Sequence, residues 1–185
     1  MTRLKNMSER ELLQIFARIV HEKKTPTRGI VVGTGDDAAV LRPPAGKDLL
    51  ITADTLVEGY HFERAWLTGV ELGRRLAAVN LSDIAAMGGE VRQGVLSMAL
   101  PSDLEVDYVK GIQRGVRDHL AEYKATIVGG NISGTNDAIV CDLTLLGACR
   151  KGKAWRRACR PGDAIVVVGV LGEARAGLES LLAGR

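Results

Sequence analysis

The stretch Gly33-Thr34-Gly35-Asp36-Asp37-Ala38 decides how this chain reads, and two later segments echo it: Thr52-Ala53-Asp54-Thr55 and Asn80-Leu81-Ser82-Asp83. Four aspartates sit among glycines, alanines and small hydroxyl residues, each segment at the edge of an apolar run. Carboxylate oxygens suit a hard cation such as Mg²⁺, and glycine lets a polyphosphate approach the backbone. A single Asp-Gly pair equally marks a surface turn. Three such segments in one chain point instead to a shared metal–phosphate site.

Working outward, the flanking sequence alternates helix and strand patterns. Ser8 with Glu11 forms a capping box ahead of Leu12, Leu13, Phe16, Ile19 and Val20, which predicts a helix to about His21. Gly29–Val32 reads as a short extended stretch, and Asp48–Thr52 as a strand ending in Asp54. Thr68 with Glu71 opens a second helix through Leu72, Leu76, Val79, Ile84 and Met87, stopped by Gly88-Gly89. Asn80 and Asp83 share one side of that helix, and an Asp so near its C-terminus opposes the helix dipole. Such local conflicts concentrate at functional sites. Val91–Leu100 reads as a strand ending at Pro101, and Ser102 with Glu105 as a third capping box. Ala125–Val128 is a strand running into Gly129-Gly130-Asn131, and Ala138–Ala148 a longer alternating strand. Ala164–Val168 is a last strand candidate before a helical start at Leu178, Leu181 and Leu182. Helices and strands are interleaved, so the class is α/β or α+β. The expected division is a domain over 1–150, with 151–185 as a linker and the opening of a second domain.

Composition narrows the function. The 185 residues are 46% hydrophobic and 25% charged, a balance that supports one well-cored domain. Aromatics make up 4% and glycines number 22, so small residues do much of the packing. The net charge of +3 gives no ground for expecting nucleic acid. The sequence shows no apolar run of membrane-spanning length and no signal-peptide pattern, so a cytoplasmic protein without a membrane partner is expected. Cys141, Cys149 and Cys159 lack zinc spacing and read as reduced thiols. No Walker loop, dinucleotide fingerprint or nucleophile elbow occurs. His21 and His119 read as helix-surface residues, whereas His61, closing Glu58-Gly59-Tyr60-His61-Phe62, either bonds a substrate or packs. Arg150, Lys151, Lys153, Arg156, Arg157 and Arg160 crowd one loop, which is either a solvated basic loop or a set of forks for nucleotide phosphates; a nucleic-acid contact is the third reading, weakened because Trp155 is the one aromatic among them.

Taken together, Gly33–Leu41, Asp54–Phe62 and Val79–Gly88 resemble thiamine-monophosphate kinase, within the superfamily of aminoimidazole ribonucleotide synthase, selenophosphate synthetase and the hydrogenase maturation protein HypE. The Asp54–Phe62 string is the part most specific to the kinase. The resemblance implies an N-terminal domain with a mixed sheet and helices on one face. Two copies of that domain form a homodimer with a joint β-barrel, and a C-terminal α/β domain closes over the nucleotide. It also implies transfer of the ATP γ-phosphoryl to thiamine monophosphate, with Mg²⁺ bridging the phosphates. Asp37, Asp54 and Asp83 match family metal ligands, Thr52 a further oxygen ligand, and Asp36 the first Asp of the pair. His61 matches a substrate contact, Gly129 and Gly130 a nucleotide-binding Gly-Gly turn, and Arg156 an arginine that reaches ATP. Three departures stand out. Asn131 replaces an Asp ligand and loses its charge, Ala53 replaces a common Thr, and little follows Pro161-Gly162-Asp163 where the family has a whole domain. These departures leave two alternatives open: a non-catalytic dimerisation or ligand-binding module, or another ATP-using synthase of the superfamily.

Overall fold

A computed structural model of the chain describes residues 3–22, 29–34, 38–155 and 159–184. The chain divides into two compact units, Met1–Trp155 and Arg156–Arg185. The larger unit begins with a 3₁₀ turn, Leu4–Asn6, that the sequence reading did not anticipate, followed by helix α1, Glu9–His21. The Ser8 side chain accepts from the Glu11 N–H while the Glu11 carboxylate accepts from the Ser8 N–H, so the first capping box forms. Strands β1 (Ile30–Val32) and β2 (Val40–Leu41) make a small antiparallel ribbon around the Gly33–Ala38 segment. Within that segment, Asp36 and Asp37 lie outside the described residues, as does Arg156.

The main sheet has four strands: β3 (Lys47–Val57), β4 (Glu90–Pro101), β5 (Thr126–Thr135) and β6 (Val140–Arg150). Their order is β3-β6-β4-β5; β6 is antiparallel to both neighbours, and β4 and β5 are parallel. The parallel pair is joined through helix α3, Val106–Glu122, as such a crossover requires. Helix α2, Gly69–Ala86, connects β3 to β4 and starts on the Thr68–Glu71 capping box. Alternate strand residues point into one core. Cys141, Leu143 and Leu145 of β6 and Leu96, Met98 and Leu100 of β4 are buried together with Leu72, Leu76, Ile112 and Val116 of the helices. Each buried Leu or Ile contributes roughly 1.5–3 kcal/mol.

Helices α2 and α3 pack unusually close because glycines face each other. A Cβ on Gly73 would sit 2.1 Å from the Ile112 carbonyl oxygen, and one on Gly115 would sit 2.2 Å from that of Val70. Helix α1 is tied to α3 by Arg117, which is 9% exposed. Its guanidinium donates to the Ile19 carbonyl at 2.9 Å and to the carboxylates of Asp118 and Glu22.

Several expectations need correction. The third capping box does not form: α3 starts at Val106 with Glu105 as its cap residue and no side-chain cap bond. Ser102 sits instead in the turn closed by the Leu104 N–H on the Pro101 carbonyl at 3.1 Å. β3 does not end in Asp54 but pairs with β6 through Val57. Gly129-Gly130-Asn131 is not a turn but part of β5, because each of the three finds a partner on β4. His119 is not a free surface residue; its side chain is 16% exposed and its ring stands edge-on to Tyr123. In the smaller unit, Ala164–Val168 forms no strand, and Ile165 and Val168 are almost fully exposed. A strand needs a bonded neighbour, and none lies beside it among the described residues. Helix α4, Glu173–Leu182, does form there.

Candidate functional site

Asp54 is the centre of the acidic cluster. It lies on β3 on the face covered by α2, and the buried Asn80 side chain ties the two elements: its Oδ1 accepts the Asp54 N–H at 3.1 Å and its amide donates to the Leu76 carbonyl at 3.0 Å. One turn on, Asp83 accepts from the Thr52 hydroxyl at 2.7 Å. On the next strand, Asp142 accepts from the Thr55 hydroxyl at 2.5 Å. Burial pushes the Asp54 carboxyl above its ordinary range, and the charges of Asp83 and then Asp142 push it further. The structure therefore brings Thr52, Asp54 and Asp83 together. It adds Asn80, which the sequence reading left out of the site, and sets Asp142 on the other face of the sheet, where its charge still acts on Asp54. The sequence signal for Asn80 is a polar residue continuing the Leu72–Leu76 spacing into the core. Asp142 gives no signal beyond its place in an alternating strand.

The donor set is all oxygen, and the crowded carboxylates favour a cation between them, so the residues fit a hard divalent ion such as Mg²⁺. Among the described residues no three His, Cys, Asp or Glu side chains are close enough to hold an ion alone. Thr52, Asp54 and Asp83 could supply part of such a shell. Cys141 is no rival nucleophile: burial pushes its thiol up to about 12.

His61 sits in a loop built for rigidity. Glu58 takes a two-pronged bond from Arg64, at 2.7 and 2.8 Å, and accepts the Ile139 N–H at 3.0 Å. Burial raises the Glu58 carboxyl, but these donors outweigh it and hold the group below its usual value. Phe62 is buried beneath the loop and Gly59 donates to its carbonyl at 2.9 Å. The Val57 N–H donates to His61 Nδ1 at 3.1 Å, which makes Nδ1 the acceptor and leaves Nε2 to carry the proton toward solvent. Tyr60 beside it is 88% exposed.

Gly129, Gly130 and Asn131 lie on the other side of the sheet. The register runs Asp54, Leu143, Leu96, Gly130 across the four strands, so three strand steps separate Gly130 from Asp54. That is roughly 14 Å at about 4.8 Å per step. Asn131 shares its row with Thr55, Asp142 and Ser97, on the opposite face from Asp54. Asn131 therefore does not join the Asp54 cluster within one chain. Instead it borders a cleft of about 730 Å³ beside β5, walled by Phe16 and Val20 of α1 and by Thr34 and Ala38. The buried Gln113 also lines this cleft, and its Oε1 has no hydrogen-bond partner among the described residues. Its unmet polar atom is a feature the sequence reading missed.

This arrangement matches known proteins. The N-terminal domain of the AIR synthase related proteins matches residues 35–149. The chain belongs to that family. It is 40% identical over 149 residues to the thiamine-monophosphate kinase of Synechococcus elongatus, covering 80% of this chain and 45% of the relative. The crystal structure of thiamine-monophosphate kinase from Stenotrophomonas maltophilia K279a superposes with a TM-score of 0.78 at 32% identity, covering 92% of this chain and 52% of that one. AaThiL complexed with AMPPCP and TMP gives 0.71 at 34% identity, covering 100% and 56%. The chain spans about half the length of the curated relatives it matches. As an AIR synthase related protein it shares their mixed α/β fold, and no helix among the described residues is long and apolar enough to cross a membrane.

Proposed function

We propose that this chain is the Mg²⁺–nucleotide half of a cytoplasmic, ATP-dependent thiamine-monophosphate kinase. The observation that carries the reading is Asp54, pressed between burial and two further carboxylates and anchored by Asn80. Its identity to named thiamine-monophosphate kinases, and the AMPPCP and TMP bound by one structural neighbour, support the substrates. The domain over 1–150 holds the nucleotide, and 151–185 is a linker and the opening of a second domain.

The reaction transfers the ATP γ-phosphoryl to thiamine monophosphate, giving thiamine diphosphate and ADP. Direct phosphoryl transfer asks for positioning and charge cancellation rather than covalent catalysis. Mg²⁺, when bound, neutralises phosphate charge as it shifts. Asp54 and Asp83, with Asp36, Asp37 and the Thr52 oxygen, hold the metal. Gly129 and Gly130 give the phosphates a bare backbone to approach, and Arg156 reaches the triphosphate. His61 donates from Nε2 to the acceptor, held in that tautomer by Val57. Two copies join into a barrel-like homodimer.

A coupled ADP-release assay on the full-length protein, with thiamine diphosphate identified by chromatography, tests the reading. ADP without thiamine diphosphate would assign the chain to another ATP-using synthase. The 185 residues alone should show no appreciable turnover, because in-line transfer needs both substrates held at about 3–3.5 Å. Asn131, Ala53 and the separation of Asn131 from Asp54 favour a second reading, a ligand-binding module without catalysis. Nucleotide binding without turnover in the full-length protein would support that one.

A further inference from the structure

The turn after β3 is pinned from several directions and carries one aromatic ring left in water. The Val57 carbonyl accepts two N–H groups, from Tyr60 at 3.2 Å and from His61 at 2.9 Å, and Gly59 turns the chain at a φ of +84°. The Glu58 N–H donates to the Ile139 carbonyl at 3.0 Å, and Arg64, which grips the Glu58 carboxylate, also donates to the Asp137 carbonyl at 3.2 Å. The turn is thereby fastened to the entry of β6. Tyr60 lies within it, 88% exposed. The other exposed aromatic rings among the described residues are partnered: Tyr123 meets the His119 ring, and Trp155 lies against Gly88. The charge around the turn is negative. Arg64 neutralises Glu58, but no cation among the described residues pairs with Glu63 or Asp137.

A single exposed tyrosine is ordinary on a protein surface. One held in a pinned turn, beside His61 and near two unpaired carboxylates, is a prepared contact, because the ordering that binding would otherwise cost is already met. We infer that Tyr60 is a specificity-determining residue whose ring face takes a cationic heteroaromatic ring, and that this ring is the thiazolium of thiamine monophosphate. This rests on the kinase reading above and adds what selects the acceptor. The face of an aromatic ring is electron-rich and attracts a cation placed over it. Glu63 and Asp137 add a field of the same sense. The placement agrees with the metal site. Val57 is three strand residues past Asp54, about 10 Å at 3.3 Å per residue. A cation at Asp54, a phosphate and a two-carbon linker span that gap, so a phosphate ester meets the metal at one end and sets its ring at Tyr60. His61, next in the chain, presents its Nε2–H to the same ligand.

Two measurements on the full-length protein separate this inference from the reading it rests on. The first compares a phosphorylated hydroxyethyl-thiazole, whose ring is neutral, with the same compound methylated on the ring nitrogen, which is a thiazolium. Dissociation constants from NMR titration should favour the thiazolium in the wild type. Tyr60→Leu keeps apolar bulk without a π face and should lose about fivefold of that preference, whereas Tyr60→Phe should keep it. The ring is exposed, so neither substitution disturbs the core. A preference unchanged in Tyr60→Leu, or lost in Tyr60→Phe as well, would overturn the inference, and so would a wild type that binds neither probe. The second measurement is steady-state kinetics with thiamine monophosphate. Tyr60→Leu should raise its KM about fivefold and leave kcat and the KM for ATP nearly unmoved, the pattern of a contact made equally before and during transfer. An unchanged KM for thiamine monophosphate would overturn the inference. Wild-type protein that prefers the thiazolium probe but forms no thiamine diphosphate would leave the preference of Tyr60 for cationic rings standing and refute the kinase reading, and the identity of the ligand with it.

Discussion

Asp54 holds its charge at a cost to the fold. Its carboxyl lies above the ordinary range because burial, Asp83 and Asp142 all disfavour ionisation, so at neutral pH the ionised group opposes folding. Asp54→Asn should therefore raise the thermal midpoint in chelator. Added Mg²⁺ should raise the wild-type midpoint and leave the variant nearly unmoved. A variant less stable than wild type in chelator would show that the contacts of the carboxylate outweigh its burial and repulsion. Glu58 works in the opposite direction. Its folded value is depressed, so its contribution is complete above the unfolded value near 4.5 and is lost as the pH falls through the lower folded value. The capping carboxylates Glu11 and Glu71 are lowered too and share that sign. Urea midpoints measured from pH 6 down to about pH 3 should fall, and Glu58→Gln should flatten the slope while lowering the plateau. An unchanged slope in Glu58→Gln would remove Glu58 from the account. At this scale the sequence revealed which residues are chemical but not how they are held. Asp54 could be picked out as a carboxylate among small residues beside an apolar run and Asp83 as one placed late in a helix, whereas Thr52 entered only through the family resemblance. Asn80 stood out only as a neighbour of Asp83 on one side of its helix, and Gln113 passed unnoticed, because what both do lies in burial, which only the packed helices create.

At the scale of elements, reciprocal capping carried most of the legible information. Ser8 and Thr68 mark true helix starts because each has a Glu three residues on and an apolar stripe behind. Ser102 has the same spacing and fails, since it lies in the turn closed by the Leu104 N–H on the Pro101 carbonyl and the helix starts only at Val106. Strand ends were misread wherever polar or glycine residues continued a strand. β3 runs through Asp54, and β5 through Gly129-Gly130, because ladder bonds to β6 and β4 outweigh weak strand propensity. The contact between α2 and α3 depends on residues that propensity alone counts as defects. Gly73→Ala should improve intrinsic helix propensity by about 0.5–1 kcal/mol. It should nevertheless destabilise the protein by about 3 kcal/mol, since the new methyl meets the Ile112 carbonyl at 2.1 Å and the helices must part. Urea unfolding of the variant decides it, and a gain in stability would mean that the helices separate at little cost.

For the molecule as a whole, the sheet is covered on one face by α2 and α3, while on the other β3 exposes large apolar side chains at Leu49 and Ile51. Sequence alternation gave no warning of this. Leu49-Leu50-Ile51 is apolar throughout, and only the placement of α2 shows that Leu50 is the inward residue of the three. Leaving such side chains in water forfeits burial that a second copy would recover, on the order of 25 cal/mol per Å² of apolar surface. An interface that covers the face and both edges should be of obligate size, on the order of 2,000 Å² or more. Wild-type protein at micromolar concentration should therefore scatter light as a dimer, and its thermal midpoint should rise with protein concentration. Ile51→Lys places a charge where the two sheets would meet and makes no demand on the chain's own core, because the side chain already points to solvent. The variant should keep its helical circular dichroism, scatter as a monomer and lose the concentration dependence. A wild-type monomer, or an Ile51→Lys dimer of undiminished stability, would mean that this face is not buried by self-association.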